Sequence, residues 1–441
     1  MRGCPAHHAP FQGPKIMAQN ITPVRGMNDI LPPDGDTWLA LEGIVSELLA
    51  GYGYRHVRLP LLERTELFRR SIGDATDIVE KEMYTFDDRN GESLTLRPEA
   101  TAGLVRAAIS NGLTHNQKHR IWTAGPMFRY EKPQKGRYRQ FHQIDIEAFG
   151  YEGPDVDIEM IVMSARLWQR LGISRLSLEV NSLGSAEARA AYRDQLVTYF
   201  EGHRDVLDAD SLRRLESNPL RILDSKNPAM TEVIAGAPLL LDHLDAESQA
   251  HFDALRAGLD AVGVAYTVNP RLVRGLDYYS RTVFEWVTDA LGSQGAVCSG
   301  GRYDGLFEQL GGKPVPAIGW AIGVERLVAL CEAEQARPAA VEPHAYLISV
   351  GADADAAALA LSERLRDAVP GLRLERHLGG GSMKSQLKQA DKSGAELALI
   401  VAERELADGV VSVKPLRDRR EQESLDEAGL SRLLVTEVGS R

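Results

Sequence analysis

A short polar run stands where the flanking sequence favours a β-strand. This run, Arg274–Tyr279, contains one fixed cation, one flexible glycine and two adjacent phenols, and apolar pairs at 272–273 and 283–284 lie on either side. An arginine beside tyrosines suits a pocket that holds a small polar ligand next to an anion, but the same pair also occurs as a stack on protein surfaces. A phosphate site elsewhere in the chain would favour the pocket.

Two other arginines stand in patterns that could bind phosphate. Arg326 follows a glycine-containing segment, 319–323, and falls in the first turn of a predicted helix, where backbone and ligand could approach closely. Arg129 belongs to a segment, 128–140, that holds five Lys or Arg and one Glu, although the whole chain has a net charge of −11. This segment could contact phosphates or be a solubilising hairpin tip. The P-loop and Rossmann glycine patterns are missing from the sequence, which disfavours those nucleotide sites.

Length and composition bound the class of protein. With 441 residues, 44% of them hydrophobic and 26% charged, the chain has room for two or three domains of ordinary globular composition. No apolar run approaches the length that spans a bilayer, and residues 1–16 lack the apolar core of a secretory signal. Cys4, Cys298 and Cys331 show no CxxC spacing, which argues against a disulfide scaffold or a Cys-based zinc site. We expect a cytoplasmic protein without membrane contact, with residues 1–16 as a disordered extension.

Regions of different composition follow one another along the chain. Near the N-terminus, an apolar stripe predicts a helix that starts at about Asp36, and a strand at 56–59 follows it. Residues 185–265 contain short helical, charged and loop segments, which indicate a helical insertion within the first domain. An Ala/Pro/Glu linker at 334–343 leads to a small α/β domain, 344–441, whose predicted strands are 345–350, 372–375, 397–401 and 410–413.

A predicted strand at 139–149, paired with another at 120–130, has an unusual polar face. Alternation places on that face Phe141, Gln143, Asp145, Glu147 and Phe149, whereas the other face has ordinary core residues. Two carboxylates, an amide and an aromatic ring fit a ligand pocket, although a solvated face would show the same pattern. The sequence assigns no role to Asp145.

Several segments occur in an order that resembles histidyl-tRNA synthetases, a family of class II aminoacyl-tRNA synthetases. In chain order they are Arg25–Pro32, the predicted helix and strand that end at Pro60, Phe128–Glu131, Arg274–Tyr279, Gly300–Leu306 and Gly323–Arg326. The first is similar to the opening of the family. The second, third and last are similar to the three class II motifs, and the remaining two to the histidine-specific motifs. The resemblance runs from about Met17 to the C-terminus.

The resemblance implies a fold and a set of partners. The fold is an α+β catalytic domain at 17–333 with a mixed, mainly antiparallel sheet, the helical insertion at 185–265, and a C-terminal α/β anticodon-binding domain at 344–441. The implied partners are L-histidine, ATP, histidine tRNA and a second copy of the chain in a homodimer. Mg²⁺ is expected together with ATP, which is a substrate, and the spacing of residues does not name a metal-ligand cluster.

The implied activity is histidine–tRNA ligation, in which the histidine carboxylate attacks the α-phosphate of ATP and the histidyl group then passes to the 3′ end of the tRNA. Arg129 and Arg274 are implied as catalytic cations on either side of that phosphate. The histidine-binding residues implied by the family are Glu99, Thr101, Arg129, Gln143, Glu147, Arg274, Tyr278, Tyr279 and Tyr303. Those for ATP are Arg129, Glu131, Arg137, Phe141 and Arg326. Gln134 and Arg137 are implied tRNA contacts, and the sequence leaves open whether Arg137 reaches the tRNA or the ATP phosphates.

One difference from the family pattern and two kinds of alternative function bear on the predicted histidine–tRNA ligase activity. Ala100 stands where the family usually has glycine, and we expect an ordinary φ there. The alternative is a non-catalytic regulatory subunit of ATP phosphoribosyltransferase, which resembles the catalytic core but typically has degraded ATP motifs and no complete anticodon-binding domain. Arg129, Arg274, Arg326 and the C-terminal domain argue against it. Synthetases for threonine, proline or glycine lack the two histidine-specific runs.

Overall fold

Two units divide the chain, Met1–Pro338 and Ala339–Arg441. The structure, a computed structural model, describes residues 21–73, 76–134, 136–223, 225, 227–276, 278–292, 295–336, 338 and 342–439. The predicted extension 1–16 and Asp277 of the polar run lie outside these residues. No helix in the described part of the chain is both long enough and apolar enough to cross a membrane.

The first unit contains strands and α-helices in mixed order. They are α1 (Asp34–Gly51), β1 (Arg55–His56), β2 (Leu62–Arg64), α2 (Thr65–Ile72), β3 (Tyr84–Asp87), β4 (Ser93–Leu96), α3 (Thr101–Ser110), β5 (His119–Phe128), β6 (Gln140–Phe149), α4 (Pro154–Leu171), β7 (Ser177–Ser182), α5 (Ala186–Glu201), α6 (Ala209–Ser217), α7 (Thr231–Gly236), α8 (Ala246–Val262), β8 (Thr267–Val268), β9 (Ser280–Val287), β10 (Ala296–Arg302), α9 (Leu306–Gln309), β11 (Ala317–Gly323) and α10 (Val324–Ala333).

An eight-stranded sheet dominates this unit. Its strands lie in the order β1-β5-β6-β11-β10-β9-β7-β8. Neighbours are antiparallel except at the two edges, where β1 pairs with β5 and β8 with β7 in parallel. The β5–β6 pair is aligned from His119 opposite Phe149 to Phe128 opposite Gln140. The two strands predicted around the basic segment are therefore confirmed.

Helices cover one face of the sheet, and the cavity described below opens on the other face, which helices cover in part. On the covered face, α1 buries the predicted apolar stripe, Trp38, Leu41, Val45, Leu48 and Leu49. Helices α4, α8 and α10 contribute Leu167, Leu255 and Leu327 to the same core. α1 begins two residues before its predicted start, because both Asp34 and Asp36 fit its first turn, where carboxylates favour the helix dipole.

The strand predicted at 56–59 is shorter than expected. β1 comprises Arg55–His56, and one further hydrogen bond joins Val57 N to Trp122 O at 2.8 Å. The pairing ends there, three residues before Pro60, which has no N–H to donate to a sheet. Beyond it, β2, β4 and β3 form a separate antiparallel sheet in that order.

Between Ala186 and Val262 the regular elements of the described chain are helical. They comprise α5 to α8 and three short 3-10 helices at Pro219–Ile222, Pro228–Met230 and Leu240–His243. The last helix, α8, packs on α4, and its Phe252, Leu255 and Leu259 belong to the core beneath the large sheet. The C-terminal end of this region is therefore part of the sheet's own core.

The second unit is a five-stranded sheet with helices. Its elements are β12 (Ala345–Val350), α11 (Ala352–Ala368), β13 (Leu374–Arg376), α12 (Met383–Lys392), β14 (Leu397–Ala402), α13 (Glu403–Asp408), β15 (Val411–Pro415), β16 (Glu423–Leu425) and α14 (Glu427–Gly439). The strand order is β13-β12-β14-β15-β16. The four predicted strands are confirmed, and β16 was missed because this edge strand is short and largely exposed. The fold class predicted from the sequence is confirmed.

Candidate active site

A cavity of about 320 Å³ opens on the polar face of the large sheet. Strands β6, β9, β10 and β11 line it together with the segments that follow β4 and β5, and its volume is typical of a small-ligand site. The predicted site residues in its wall are Glu99, Thr101, Arg129, Glu131, Arg137, Phe141, Gln143, Arg274, Tyr278, Tyr279, Tyr303 and Arg326. Glu147 lies behind the wall and Gln134 outside it.

Arg129 follows directly after β5. Its Nε donates to the carbonyl oxygen of Pro98 at 2.9 Å, and its guanidinium carbon lies 5.2 Å from the centre of the Phe141 ring. Its backbone N–H donates to the carbonyl of Arg139 at 2.9 Å and closes the base of the hairpin. Within the described residues no carboxylate forms an ion pair with Arg129. Its terminal nitrogens are therefore available to an anionic ligand.

Arg274 is held by two side chains from adjacent strands. Its Nη1 donates to Glu285 Oε1 at 2.7 Å and its Nη2 to Ser299 Oγ at 2.6 Å, and these two partners are opposite each other on β9 and β10. Its Nε is buried without a partner in the described part of the chain. Glu285 was not predicted from the sequence. The available signal was a single carboxylate in the apolar half of β9, between Phe284 and Trp286.

Gln134 and Arg137 close the tip of the β5–β6 hairpin. Their backbones exchange two hydrogen bonds of 3.0 and 2.9 Å. The Arg137 side chain reaches the cavity, where its Nε lies 2.7 Å from Glu131 Oε2. Arg326 lines the same cavity from the first turn of α10, as predicted, and burial together with the positive charge of Arg137 lowers its pKa. Because the positive charges of Arg137 and Arg326 are near each other, an anion beside them is favoured.

Three tyrosines form an aromatic part of the wall. The ring of Tyr278 lies 4.6 Å from that of Tyr279 and 5.4 Å from that of Tyr303. Burial raises the pKa of Tyr278 and Tyr303 well above the ordinary value, so both keep their phenolic proton at neutral pH. Neutral phenols that pack against one another in tilted and edge-on arrangements suit a planar polar ring.

Glu147 supports the wall from behind it. Its Oε1 accepts a hydrogen bond from Thr101 Oγ1 at 2.7 Å, and its Oε2 accepts one from the Tyr303 hydroxyl. Burial raises the pKa of Glu147, although these two hydrogen bonds act in the opposite direction. The carboxylate therefore positions Thr101 and Tyr303, and both of its oxygens already have protein donors.

Glu99 lines the cavity and also caps a helix. Its Oε2 accepts from Thr101 N at 2.7 Å and its Oε1 from Ala102 N at 3.0 Å, at the N-terminus of α3. Capping of this kind satisfies backbone N–H groups that have no partner within the helix. Ala100, between Glu99 and Thr101, has φ −106°, so the ordinary backbone conformation expected there is confirmed.

Several polar atoms of the cavity wall have no hydrogen-bond partner among the described residues. They are Gln143 Oε1, Asp145 Oδ2 and Arg274 Nε. Buried polar atoms are normally paired, so acceptors and donors left open in one cavity indicate a polar ligand. Asp145, to which the sequence assigned no role, is one of these wall residues.

The described part of the chain holds no group of three or more His, Cys, Asp or Glu side chains placed to bind a metal ion. The cations of the cavity are the arginines, and its carboxylates are mostly paired with them or with backbone N–H groups. The arrangement can bind a ligand that has an anionic part and a planar polar ring.

Two family models match the sequence. The one described as Histidyl-tRNA synthetase matches residues 26–327, and the one described as Anticodon binding domain matches residues 344–437. Together they cover most of both units.

Three solved structures have folds similar to that of this chain. The crystal structure of the apo enzyme from S. aureus is 35% identical in sequence with a TM-score of 0.80, over 94% of this chain and 100% of that one. Histidyl-tRNA synthetase from Nostoc sp. PCC 7120 is 19% identical with a TM-score of 0.69, over 94% and 99%. An ATP phosphoribosyltransferase regulatory subunit/histidyl-tRNA synthetase from Bacillus halodurans is 21% identical with a TM-score of 0.61, over 86% and 98%. The last two are similar in fold alone.

Proposed function

This chain belongs to the histidyl-tRNA synthetase family, and from that premise we propose that it is a histidine–tRNA ligase. The observation that carries the proposal is the single cavity in which Arg129 and Arg274 stand beside the three tyrosines. Such a cavity can hold the carboxylate and the ring of histidine together with a phosphate. We further propose 17–333 as the catalytic domain, with 185–265 as its insertion, 334–343 as the linker, 344–441 as the anticodon-binding domain, and action in the cytoplasm.

In the first step, a carboxylate oxygen of L-histidine attacks the α-phosphorus of ATP. A bond forms between that oxygen and phosphorus, the bond to the β-phosphate oxygen breaks, and pyrophosphate leaves with the electron pair. Both reactants are anions, so catalysis depends on positioning and on charge neutralisation. We assign Arg129 to the histidine carboxylate and the α-phosphate. We assign Arg274, fixed by Glu285 and Ser299, to the same phosphate.

The remaining ATP contacts follow from the cationic part of the wall. Arg137 and Arg326 lie close enough for one to lower the pKa of the other, which supports binding of the terminal phosphates between them. Phe141 and Glu131 are assigned to the adenine end of ATP. Of the two roles left open for Arg137, the side-chain position favours ATP, because it lines the cavity and contacts Glu131. Mg²⁺ would enter with ATP and neutralise part of its phosphate charge.

Histidine is assigned to the tyrosine side of the cavity. Tyr278, Tyr279 and Tyr303 would enclose the imidazole. Glu99 and Thr101 would contact the amino and carboxylate groups of the amino acid, and Gln143 would make a further polar contact with it. Glu147 would act through Thr101 and Tyr303, whose hydroxyls it holds. A pocket whose buried polar groups pair with the imidazole nitrogens discriminates strongly against isosteres that lack them.

In the second step, the histidyl group moves from the adenylate to the 3′ end of histidine tRNA. Gln134, at the tip of the basic hairpin and outside the cavity, is proposed to contact the acceptor stem. The C-terminal unit, which matches an anticodon-binding domain, is proposed to contact the anticodon. We propose a homodimer, and exposed apolar side chains at Leu39, Leu62 and Phe86 support contact with a second copy.

The alternative function is that of a non-catalytic regulatory subunit. Its structural neighbour is similar to this chain in fold alone. The presence of Arg129, Arg274 and Arg326 around one cavity, together with a matched anticodon-binding domain, supports the ligase. A regulatory subunit has no need of this combination.

Pyrophosphate exchange distinguishes the two functions. Purified full-length protein is incubated with ATP, Mg²⁺ and labelled pyrophosphate, and the label that enters ATP is measured with each amino acid in turn. The ligase requires exchange that depends on L-histidine and does not occur with threonine, proline or glycine. Absence of exchange with histidine, or exchange driven by another amino acid, would contradict the proposal.

A further inference from the structure

One carboxylate in the cavity wall differs from the others. Among the described residues, five carboxylates line the cavity, and four of them have protein partners. Glu99 accepts from backbone N–H groups, and Glu131, Glu285 and Glu325 contact Arg137, Arg274 and His142 respectively. The fifth, Asp145, is 1% exposed, and its Oδ2 has no partner in the described part of the chain.

The position of Asp145 on β6 is set by the sheet. It is opposite Thr123 on β5 and Ala321 on β11, neither of which carries a charge. The charged groups that act on it come from neighbouring segments: Glu99 and Arg97 after β4, and Arg129 after β5. Asp145 in turn raises the pKa of Glu147, two positions further along β6. Asp145 is thus influenced by the carboxylate of Glu99 and by the cations of Arg97 and Arg129.

Two acceptor oxygens without partners lie next to each other on this strand face. Gln143 and Asp145 are separated by one residue, which places their Cα atoms about 7 Å apart. Both Gln143 Oε1 and Asp145 Oδ2 are buried and without a partner. Leaving a buried carboxylate without a donor is costly, so this face is built for a ligand that brings N–H groups. Positive charge on that ligand would also be favoured by Glu99.

The donors of the wall lie close to these acceptors. Arg129 and Arg274 line the same cavity and keep nitrogens without partners among the described residues. Acceptors beside donors match the two charged groups of an amino-acid zwitterion, its ammonium and its carboxylate. Acceptor oxygens do not serve the ligand's carboxylate, because its oxygens also only accept hydrogen bonds.

We propose that Asp145 contacts the substrate and contributes to its selection, because its carboxylate receives the α-ammonium group of the amino acid. This inference rests on the proposed function, which supplies L-histidine as the ligand. Gln143 would share the ammonium, which has three N–H donors, and Glu147 would not contact it, because Glu147 lies behind the cavity wall and holds Thr101 and Tyr303.

Ligand binding should then release a proton. In the free site, burial and the charge of Glu99 raise the pKa of Asp145 to about 8, although Arg97 and Arg129 act in the opposite direction. At pH 7.0 the carboxyl group is therefore mostly protonated. An ammonium placed beside it favours the ionised form, so the carboxyl proton passes to the buffer as the ion pair forms.

The test uses calorimetric binding of two ligands to the full-length protein at pH 7.0. The ligands are L-histidine and 3-(imidazol-4-yl)propionate, which lacks only the α-amino group. The variant is Asp145→Asn, which keeps the size of the side chain and cannot ionise. The matched control is Thr123→Val, because Thr123 is the buried cross-strand partner of Asp145 and does not line the cavity. Titrations in two buffers of different ionisation enthalpy count the protons released.

We expect D145N to bind histidine roughly tenfold more weakly or worse, since a charged hydrogen bond is lost, and to bind the deamino ligand within about twofold of wild type. Wild type should release more protons than D145N on binding histidine, by up to one per site, and T123V should match wild type. Equal losses for both ligands, no loss, or equal proton release would overturn the inference. Proton release by wild type needs no variant, so it tests the inference even if D145N fails to fold.

The same samples separate this inference from the proposed function. If wild type performs histidine-dependent pyrophosphate exchange while D145N discriminates between the ligands as wild type does, only the role of Asp145 fails. If wild type neither binds histidine nor performs the exchange, the proposed function fails and this inference fails with it.

Discussion

Glu147 on β6 and Gly319 on β11 are direct cross-strand partners, and the carboxylate of Glu147 fills the space that a side chain at 319 would need. A Cβ atom at 319 would lie 1.5 Å from Glu147 Oε2 and 2.7 Å from the carbonyl oxygen of Ile146. The absence of a side chain at 319 thus allows Glu147 to hold Thr101 and Tyr303.

Replacement of Gly319 by alanine is therefore expected to displace Glu147. The variant should lose most histidine-dependent pyrophosphate exchange and about 1–3 kcal/mol of unfolding free energy, because the core is overpacked. Denaturant unfolding and exchange assays measure the two effects. Gly439→Ala is the control, since a Cβ there would meet no atom within 4 Å, and it should retain both stability and exchange. Normal activity in G319A would contradict the supporting role of Glu147.

Arg274→Ala should abolish amino-acid activation. The substitution removes the proposed α-phosphate cation and leaves Glu285 in the cavity without its partner. Arg175→Ala is a matched control, because Arg175 also forms a 2.7 Å ion pair, with Asp289, but on the surface, where such a pair contributes little. We expect R175A to show wild-type exchange and R274A to show none, with similar far-ultraviolet circular dichroism. Near-normal turnover by R274A would exclude its assigned role.

The stability of the ligand-free protein should depend on pH through Asp145. An aspartate in the unfolded chain ionises near pH 3.9, whereas the pKa of Asp145 in the fold is about 8. Between these values the folded state keeps a proton that the unfolded chain has released, so this residue's contribution to stability falls as pH rises. D145N has no such loss. Its Tm minus that of wild type should therefore increase from pH 5 to pH 8, and a constant difference would show that the carboxyl ionises normally.

If the proposed homodimer forms through α1, β2 and β3, a charge placed on this surface should weaken it. Leu39 is 70% exposed on α1, and Leu62 and Phe86 are exposed on β2 and β3. Leu39→Glu should shift the protein towards the monomer in sedimentation velocity and lower its exchange activity, because a charge in an apolar interface is unfavourable. Leu359→Glu, at a position that is 50% exposed on α11 of the other unit, should leave the sedimentation coefficient unchanged. If wild type is an active monomer, the proposed dimer is wrong.

The amino-acid sequence by itself determined the family, the fold class and which residues share one face of β6. The order of the motif segments and the alternation of side chains along a strand can both be read from the sequence. The first indicates the family, and the second places residues 141, 143 and 145 on one side of β6. The first-turn position of Arg326 and the ordinary backbone at Ala100 were predictable for the same reason.

Only the tertiary structure decided which side chains share the cavity and which support it. Glu147 and Asp145 have the same alternation, yet Thr101 and Tyr303, distant in the chain, cover the first and leave the second open. The pairing of Arg274 with Glu285 depends on the β9–β10 register in the same way. Spacing along a strand specifies a face, whereas the partner of a buried charge depends on which distant segments fold against that face.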